Sequence, residues 1–314
     1  MNYKTETTWF NEEYQQWIND GCEINYNVTK LNIQSMNLIY LSEFIDNLIN
    51  LQILNCSHNY LIILPEVINC MINLQELNCN SNRLIYLPKK LNNLINLQRL
   101  HCSCNQLKKL PESIGSLINL QELWCWSNDL TKLPGTIGDL INLQYLNCSI
   151  NELINLPKSI GNLINLKSLH CSNNKLIKLP ENIDNLINLE ELNCFNNNLI
   201  KLPISLIKLK HIKRLAFDNT IQLPVNLQRF MNRIKNKIKI NNDVHNISIQ
   251  TSLFNSINNL LLENIIKQIS IIEDNIIDSV TKSILYNFIE DKIVGELLVT
   301  FEELLVYILE KIEN

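Results

Sequence analysis

Leu120-Gln-Glu-Leu-Trp-Cys-Trp-Ser-Asn-Asp-Leu-Thr-Lys-Leu-Pro-Gly-Thr-Ile-Gly-Asp-Leu-Ile-Asn142 decides the fold, because these 23 residues recur in phase on both sides of it. Steps of 23 carry its proline through Pro65, Pro88, Pro111, Pro134, Pro157, Pro180 and Pro203. The same step carries its asparagine from Asn59 to Asn197, its first leucine from Leu51 to Leu189 and its cysteine from Cys56 to Cys194. The shared unit reads L-x-x-L-x-C-x-x-N-x-L-x-x-L-P-x-x-I-x-x-L-I-N. One such unit cannot bury its own apolar side, so successive units must stack and share a continuous core.

Within a unit, Leu54 and Cys56 sit two apart, as residues on one side of a strand must, and Ile53, Asn55 and Ser57 point the other way. Repetition then builds a parallel sheet along one face. The asparagine that follows carries both a donor and an acceptor, able to satisfy backbone groups that the turn leaves unpaired inside the stack. Proline after the next leucine ends strand pairing, and I-x-x-L behind it suits a single helical or 3₁₀ turn on the back.

The unit resembles the leucine-rich repeat in the short 23-residue form with L-P-x-x-I-x-x-L found in Ras-group and related intracellular proteins, over roughly residues 28 to 224. The Asn- and Ile-rich composition and the N-C-S-x-N strand are also similar to repeat proteins of giant DNA viruses and AT-rich protists. The resemblance implies an α/β solenoid, a leucine-rich-repeat arc whose parallel sheet lines the concave face. It also makes a small GTPase or another signalling protein a candidate partner.

The repeat frays at both ends. Near Val28 a first unit keeps Leu31, Ile33, Leu38 and Leu41 in phase but has Met36 for the asparagine and Ser42 for the proline. A last unit at Ile212 reaches Leu223-Pro224 early. Terminal units lack a neighbour on one side and are expected to be atypical. The expected organisation is therefore an N-terminal cap over 1–27, with Trp9, Phe10, Tyr14 and Trp17 at helical spacing, a solenoid of about nine repeats over 28–224, and a C-terminal α-helical region over 225–314. In that last region Arg229 to Lys239 is basic, apolar residues recur at helical spacing over 249–269 and 276–289, and Thr300-Phe-Glu-Glu303 has the pattern of a capping box.

Composition excludes several functions. The chain has 314 residues, 46% hydrophobic and 18% charged, with net charge −4, and no uncharged apolar run long enough for a membrane helix. It opens without an apolar signal segment, which makes a cytoplasmic protein the expectation. Its six glycines form no phosphate-cradling loop. No cofactor, membrane or nucleic-acid partner is expected, the five basic charges of Arg229 to Lys239 being too few to carry such binding. A cysteine-dependent ligase is excluded from the C-terminal region, since no cysteine follows Cys194.

The repeat cysteines read as small buried hydrophobes. Neighbouring strands hold their Cβ atoms parallel and about 4.8 Å apart, whereas a disulfide needs about 3.8 Å with the two turned together. His101-Cys102-Ser103-Cys104 resembles a ligand set, but strand alternation sends His101 and Ser103 outward and Cys102 inward, which a four-ligand zinc site does not tolerate. His101 is expected to be exposed, and Cys104 to be the most accessible repeat thiol.

Function should lie in the outward columns of the sheet, where most side chains are small or polar. The exception is the middle, where Trp124 and Trp126 share one strand between Arg99 and His101 on one side and Tyr145 on the other. Binding hot spots are enriched in Trp, Tyr and Arg near the centre of a patch. The candidate partner-binding residues are Arg99, His101, Glu122, Trp124, Trp126, Tyr145 and Phe195, and the expected function is a non-enzymatic scaffold for protein–protein interaction. The alternative is an effector or ubiquitin-ligase adaptor that recruits machinery through the C-terminal region. A Ser103–His101–Glu122 set lacks an oxyanion hole, so no catalytic residue is assigned.

Overall fold

The computed structural model describes residues 7–218 and 220–240. The helices read from the sequence over 249–269, 276–289 and from Thr300 onward lie outside the described residues.

Ten parallel strands form one sheet in chain order: β1 (Thr7–Trp9), β2 (Val28–Asn32), β3 (Ile53–Asn55), β4 (Glu76–Asn78), β5 (Arg99–His101), β6 (Glu122–Trp124), β7 (Tyr145–Asn147), β8 (Ser168–His170), β9 (Glu191–Asn193) and β10 (Arg214–Ala216). From β2 onward each strand pairs with the next at an offset of 23 residues, so equivalent residues stand side by side: Leu100 opposite Leu123, and Leu123 opposite Leu146. The sheet lines the concave face of the solenoid. Behind most prolines a short 3₁₀ turn forms on the back, such as Glu112–Ser116, Gly135–Asp139 and Lys158–Asn162. Successive turns pack closely: a Cβ on Gly138 would lie 2.4 Å from the carbonyl oxygen of Ser159 in the next unit.

The core is one column per consensus position. In the central unit Leu120, Leu123, Cys125, Leu130, Leu133, Ile137 and Leu140 are all buried, and their counterparts continue the same columns in both directions. Each fully buried leucine contributes roughly 1.5–3 kcal/mol of transfer free energy, so stability is spread evenly along the stack.

The asparagines form the ladder expected of them. Asn128 Oδ1 accepts the Leu107 N–H of the preceding unit at 2.9 Å, and its Nδ2 donates to Cys102 O and Cys125 O at 3.1 Å and to Trp126 O at 3.3 Å. Asn82, Asn151 and Asn174 repeat the pattern. The residue before each ladder asparagine is left-handed, with φ of 52–54° at His58, Ser81, Cys104, Ser127, Ile150, Asn173 and Asn196. This bends the chain out of the strand and aims the amide inward.

All ten cysteines are free thiols. The seven ladder cysteines are buried, and burial pushes Cys56, Cys148 and Cys194 up to about 12. The expectation for Cys104 needs correction. It is half-buried, with its thiol between the Ser81 and Ser127 hydroxyls and pushed up to about 11 by burial, whereas Cys70, on a back turn, is the exposed thiol.

At the N-terminal end, β1 adds a strand to the sheet ahead of the repeats. It leads into α1 (Asn11–Asn19), whose Glu13 carboxylate accepts the Phe10 N–H at 3.0 Å and whose Tyr14 and Trp17 are buried. At the other end, the basic stretch lies within α2 (Val225–Ile240). Leu227, Phe230, Met231 and Ile234 are buried at helical spacing and join the core that the last repeats leave open. Among the described residues no helix is long and apolar enough to cross a membrane.

Candidate functional site

Strand pairing places the outward columns side by side. Glu76, Arg99, Glu122 and Tyr145 occupy successive rungs of one column, and Asn78, His101, Trp124 and Asn147 successive rungs of the next. Trp126 follows Trp124 on the same side of its strand. Five of the seven candidate residues, Arg99, His101, Glu122, Trp124 and Tyr145, thus stand on three neighbouring strands, with Trp126 just beyond β6. Phe195 does not join them: it is half-exposed but three repeats from Trp126, about 14 Å at ~4.8 Å per strand.

The tryptophans do not stand free. The Trp124 ring lies flat on the His101 imidazole, with centroids 4.1 Å apart and planes 11° from parallel. That stack leaves His101 only 8% exposed, which corrects the expectation of an exposed histidine; Ser103, two residues on, is fully buried as well. Both tryptophans remain partly accessible, and Tyr145 beside them is 41% exposed. The result is a low aromatic surface rather than two projecting rings.

Charge is arranged around it. Arg99 Nε donates to Glu76 Oε2 at 2.8 Å, with Nη2 on the same oxygen at 2.7 Å. On the far side of Arg99, Glu122 Oε2 lies 3.5 Å from His101 Nε2, close enough for electrostatic contact but outside hydrogen-bond geometry among the described residues. The carboxyl of Glu122 is held below its ordinary value. Its contact with His101 is the main cause, burial opposes it, and the charges of His101 and Arg99 add to it. Glu76, Arg99 and Glu122 alternate in sign along one column, which gives the patch both signs of charge.

A second cluster on β8 to β10 escaped the sequence reading. His170 Nε2 lies 3.6 Å from Glu191 Oε2, and Arg214 Nη2 contacts Glu191 Oε1. Burial first, and then the charge of Arg214, hold the His170 imidazole below its usual value. Arg214 engages the Glu191 carboxylate, so that carboxylate is not free to favour the imidazolium. Column positions alone carry this signal, since Ser168, Glu191 and Arg214 share one column and His170 lies in the next.

Elsewhere the concave surface is an amide and hydroxyl lawn. Asn55, Asn78, Asn147 and Asn193 each accept the N–H two residues on, and Asn55 Nδ2 donates to Gln34 Oε1 at 3.3 Å. Among the described residues no three His, Cys, Asp or Glu side chains converge as a metal site would require. Cys102 belongs to the core, on the opposite side of the strand from His101.

Comparison with known proteins bears on the repeat. A leucine-rich repeat region family matches residues 89–171, and a second leucine-rich repeat family matches 50–71 and 165–186. No curated protein sequence matches the chain. Among solved structures, a leucine-rich-repeat protein of Leptospira interrogans is 30% identical with a TM-score of 0.61, covering 73% of this chain and 63% of its own. The ectodomain of the Arabidopsis thaliana membrane receptor kinase GASSHO1, solved with Casparian strip integrity factor 2, is 27% identical with a TM-score of 0.59 over 64% of this chain and 26% of its own. The Yersinia pestis leucine-rich effector YopM is 27% identical with a TM-score of 0.52 over 66% of this chain and 52% of its own. The chain thus spans less than two thirds of the length of each of these proteins.

Proposed function

We propose a function for a chain that is a leucine-rich-repeat protein: it binds a protein partner at the centre of its concave sheet, without catalysis of its own. The observation that carries this reading is the Trp124–Trp126 pair with Tyr145 beside it, the aromatic cluster at the middle of a mainly polar and charged face, bordered by both signs of charge from Glu76, Arg99 and Glu122. Aromatic surface at the middle of a patch contributes most of the affinity in protein interfaces, and flanking charges set orientation and encounter rate. The pre-stacked Trp124–His101 pair supports the reading as well, because a ring already held by its neighbour loses little conformational entropy when a partner lands on it.

Similar repeats are interaction modules, and the GASSHO1 receptor ectodomain is solved in complex with Casparian strip integrity factor 2. For this chain the repeat resemblance makes a small GTPase or another signalling protein one candidate partner. Ten unbridged thiols, seven of them in a buried column, support an intracellular, cytoplasmic setting. The effector reading is favoured by one observation, the likeness to YopM.

Affinity capture with the wild type beside the Trp124→Ala/Trp126→Ala variant tests the proposal, after their thermal unfolding has been matched. A hot-spot loss of about 2 kcal/mol or more weakens binding roughly 30-fold, so bound proteins should disappear selectively from the variant. An identical catch from both proteins would move the binding surface elsewhere.

A further inference from the structure

We propose that one flank of the solenoid is a two-fold interface through which two copies of this chain associate. From Ile49 to Ile187 every unit carries isoleucine in the connection from its back turn to its strand, seven in all at 23-residue spacing, and each is between 41% and 58% exposed. The asparagine after each one turns its amide to the backbone of the preceding unit. Asn119 Nδ2 donates to Ile95 O at 2.7 Å and Asn142 Nδ2 to Ile118 O at 2.8 Å. These bonds tie down the backbone of the flank and leave a continuous row of apolar side chains on its surface. Seven half-exposed isoleucines present on the order of 600 Å² of apolar surface. That is the upper end for the largest patch on a soluble monomer, and close to the roughly 800 Å² each partner gives to a standard interface.

The pitch of the row selects the occupant. Seven side chains at one fixed spacing are matched along their whole length by a surface of the same spacing, and the flank of a second copy is such a surface. A two-fold axis through Ile118 lays the row on itself antiparallel, with Ile118 meeting Ile118, Ile95 meeting Ile141 and Ile72 meeting Ile164. The bordering column permits this, because Gln75 then faces Lys167 and Gln52 faces Glu190, so no like charges meet. The opposite flank also has exposed isoleucines, among them Ile62 and Ile154, but Lys108 and Thr131 interrupt its row. A two-fold through its middle would set Lys132 against Lys132.

The exposed thiol supplies a test of register. Cys70 lies on the same flank two residues before Ile72, and the two-fold places it opposite Asn162 of the second copy. Within one chain these positions are four repeats apart, roughly 19 Å or more at ~4.8 Å per repeat, too far for a disulfide. Mild oxidation of the full-length Asn162→Cys variant should give a covalent dimer that Cys70→Ser/Asn162→Cys does not give. In sedimentation at micromolar concentration the wild type should run as a dimer and Ile118→Lys as a monomer with unchanged circular dichroism, an association at least ten-fold weaker. Ile95→Lys/Ile141→Glu should associate at least ten-fold more tightly than Ile95→Lys/Ile141→Lys. A wild type that sediments as a monomer overturns the proposal and leaves the row to another protein or to residues 241–314. A dimer indifferent to Ile118→Lys, or one that forms no Cys70 crosslink at position 162, overturns it as well. The outcome is independent of the concave-face reading, since these variants leave Trp124 and Trp126 untouched.

Discussion

Asn128→Ala should destabilise the chain by about 2–4 kcal/mol, a figure that follows from counting what its four hydrogen bonds leave behind. Asn128 is buried, accepting from Leu107 N–H and donating to Cys102 O, Cys125 O and Trp126 O. Without the amide, Cys102 O still receives Asn105 Nδ2, Cys125 O still receives Asn151 Nδ2, and Trp126 O still receives Cys104 N–H. Leu107 N–H is the group left buried and unpaired, at about 1–3 kcal/mol, and weakening the three carbonyl contacts adds roughly 1 kcal/mol. Asn142→Ala in the same unit removes one exposed bond, from Nδ2 to Ile118 O, whose carbonyl water can solvate. It should cost less than about 0.5 kcal/mol. Asn128→Asp keeps the acceptor for Leu107 but turns a carboxylate toward three carbonyl oxygens, so near neutral pH it should cost at least as much as alanine. Urea unfolding with matched slopes gives the energies, and hydrogen exchange at Leu107 gives the location. A cost for Asn128→Ala no larger than that for Asn142→Ala would refute the ladder as the element that holds units together.

Three further outcomes follow. Ile150 is a β-branched residue at φ 53° with its side chain partly in solvent. Ile150→Asn should therefore stabilise by about 1 kcal/mol, and a loss of stability in thermal unfolding would contradict the strain argument. Native protein treated with a thiol reagent should modify Cys70 rapidly, Cys104 slowly and the seven ladder thiols only on unfolding; early labelling at Cys125 by mass spectrometry would refute the buried column. Acid should destabilise in two steps. His170 binds protons less readily folded than unfolded, so its contribution is complete above its ordinary value of 6.5 and is lost as pH falls through its lower folded value. Glu122, likewise depressed, contributes fully above 4.5 and loses that contribution in stronger acid. His170→Gln should flatten the first step and Glu122→Gln the second, and a stability profile that neither variant alters would refute both assignments.

The repeat itself was legible because a period of 23 fixes core columns, strand register and ladder positions together, and each was found where the spacing put it. Two elements were less legible. Thr7–Trp9 is too short for alternation to register as a strand, and its partner β2 lies some twenty residues on. Helix α2 carries Arg229, Arg233, Lys235, Lys237 and Lys239 among its apolar residues, and these charges mask the helical spacing of Leu227, Phe230, Met231 and Ile234. At the concave centre, alternation gives the face on which a side chain leaves the strand but not how it then lies. Trp124 folds across the neighbouring strand onto His101, which makes the histidine a buried support rather than an exposed contact. The exposed isoleucine row was hidden for a related reason: Ile beside Leu reads as core until the turn shows which of the two points inward.

Photocrosslinking tests the central claim most directly. Tyr145 is exposed beside Trp124 and Trp126, and its exchange for a benzoylphenylalanine keeps an aromatic ring at that position. With the partner recovered by capture, irradiation of this variant should give a covalent adduct, while the same probe at Ile141 on the flank should give none with that partner. An adduct from Ile141 and none from Tyr145, at equal binding, would contradict recognition on the concave sheet.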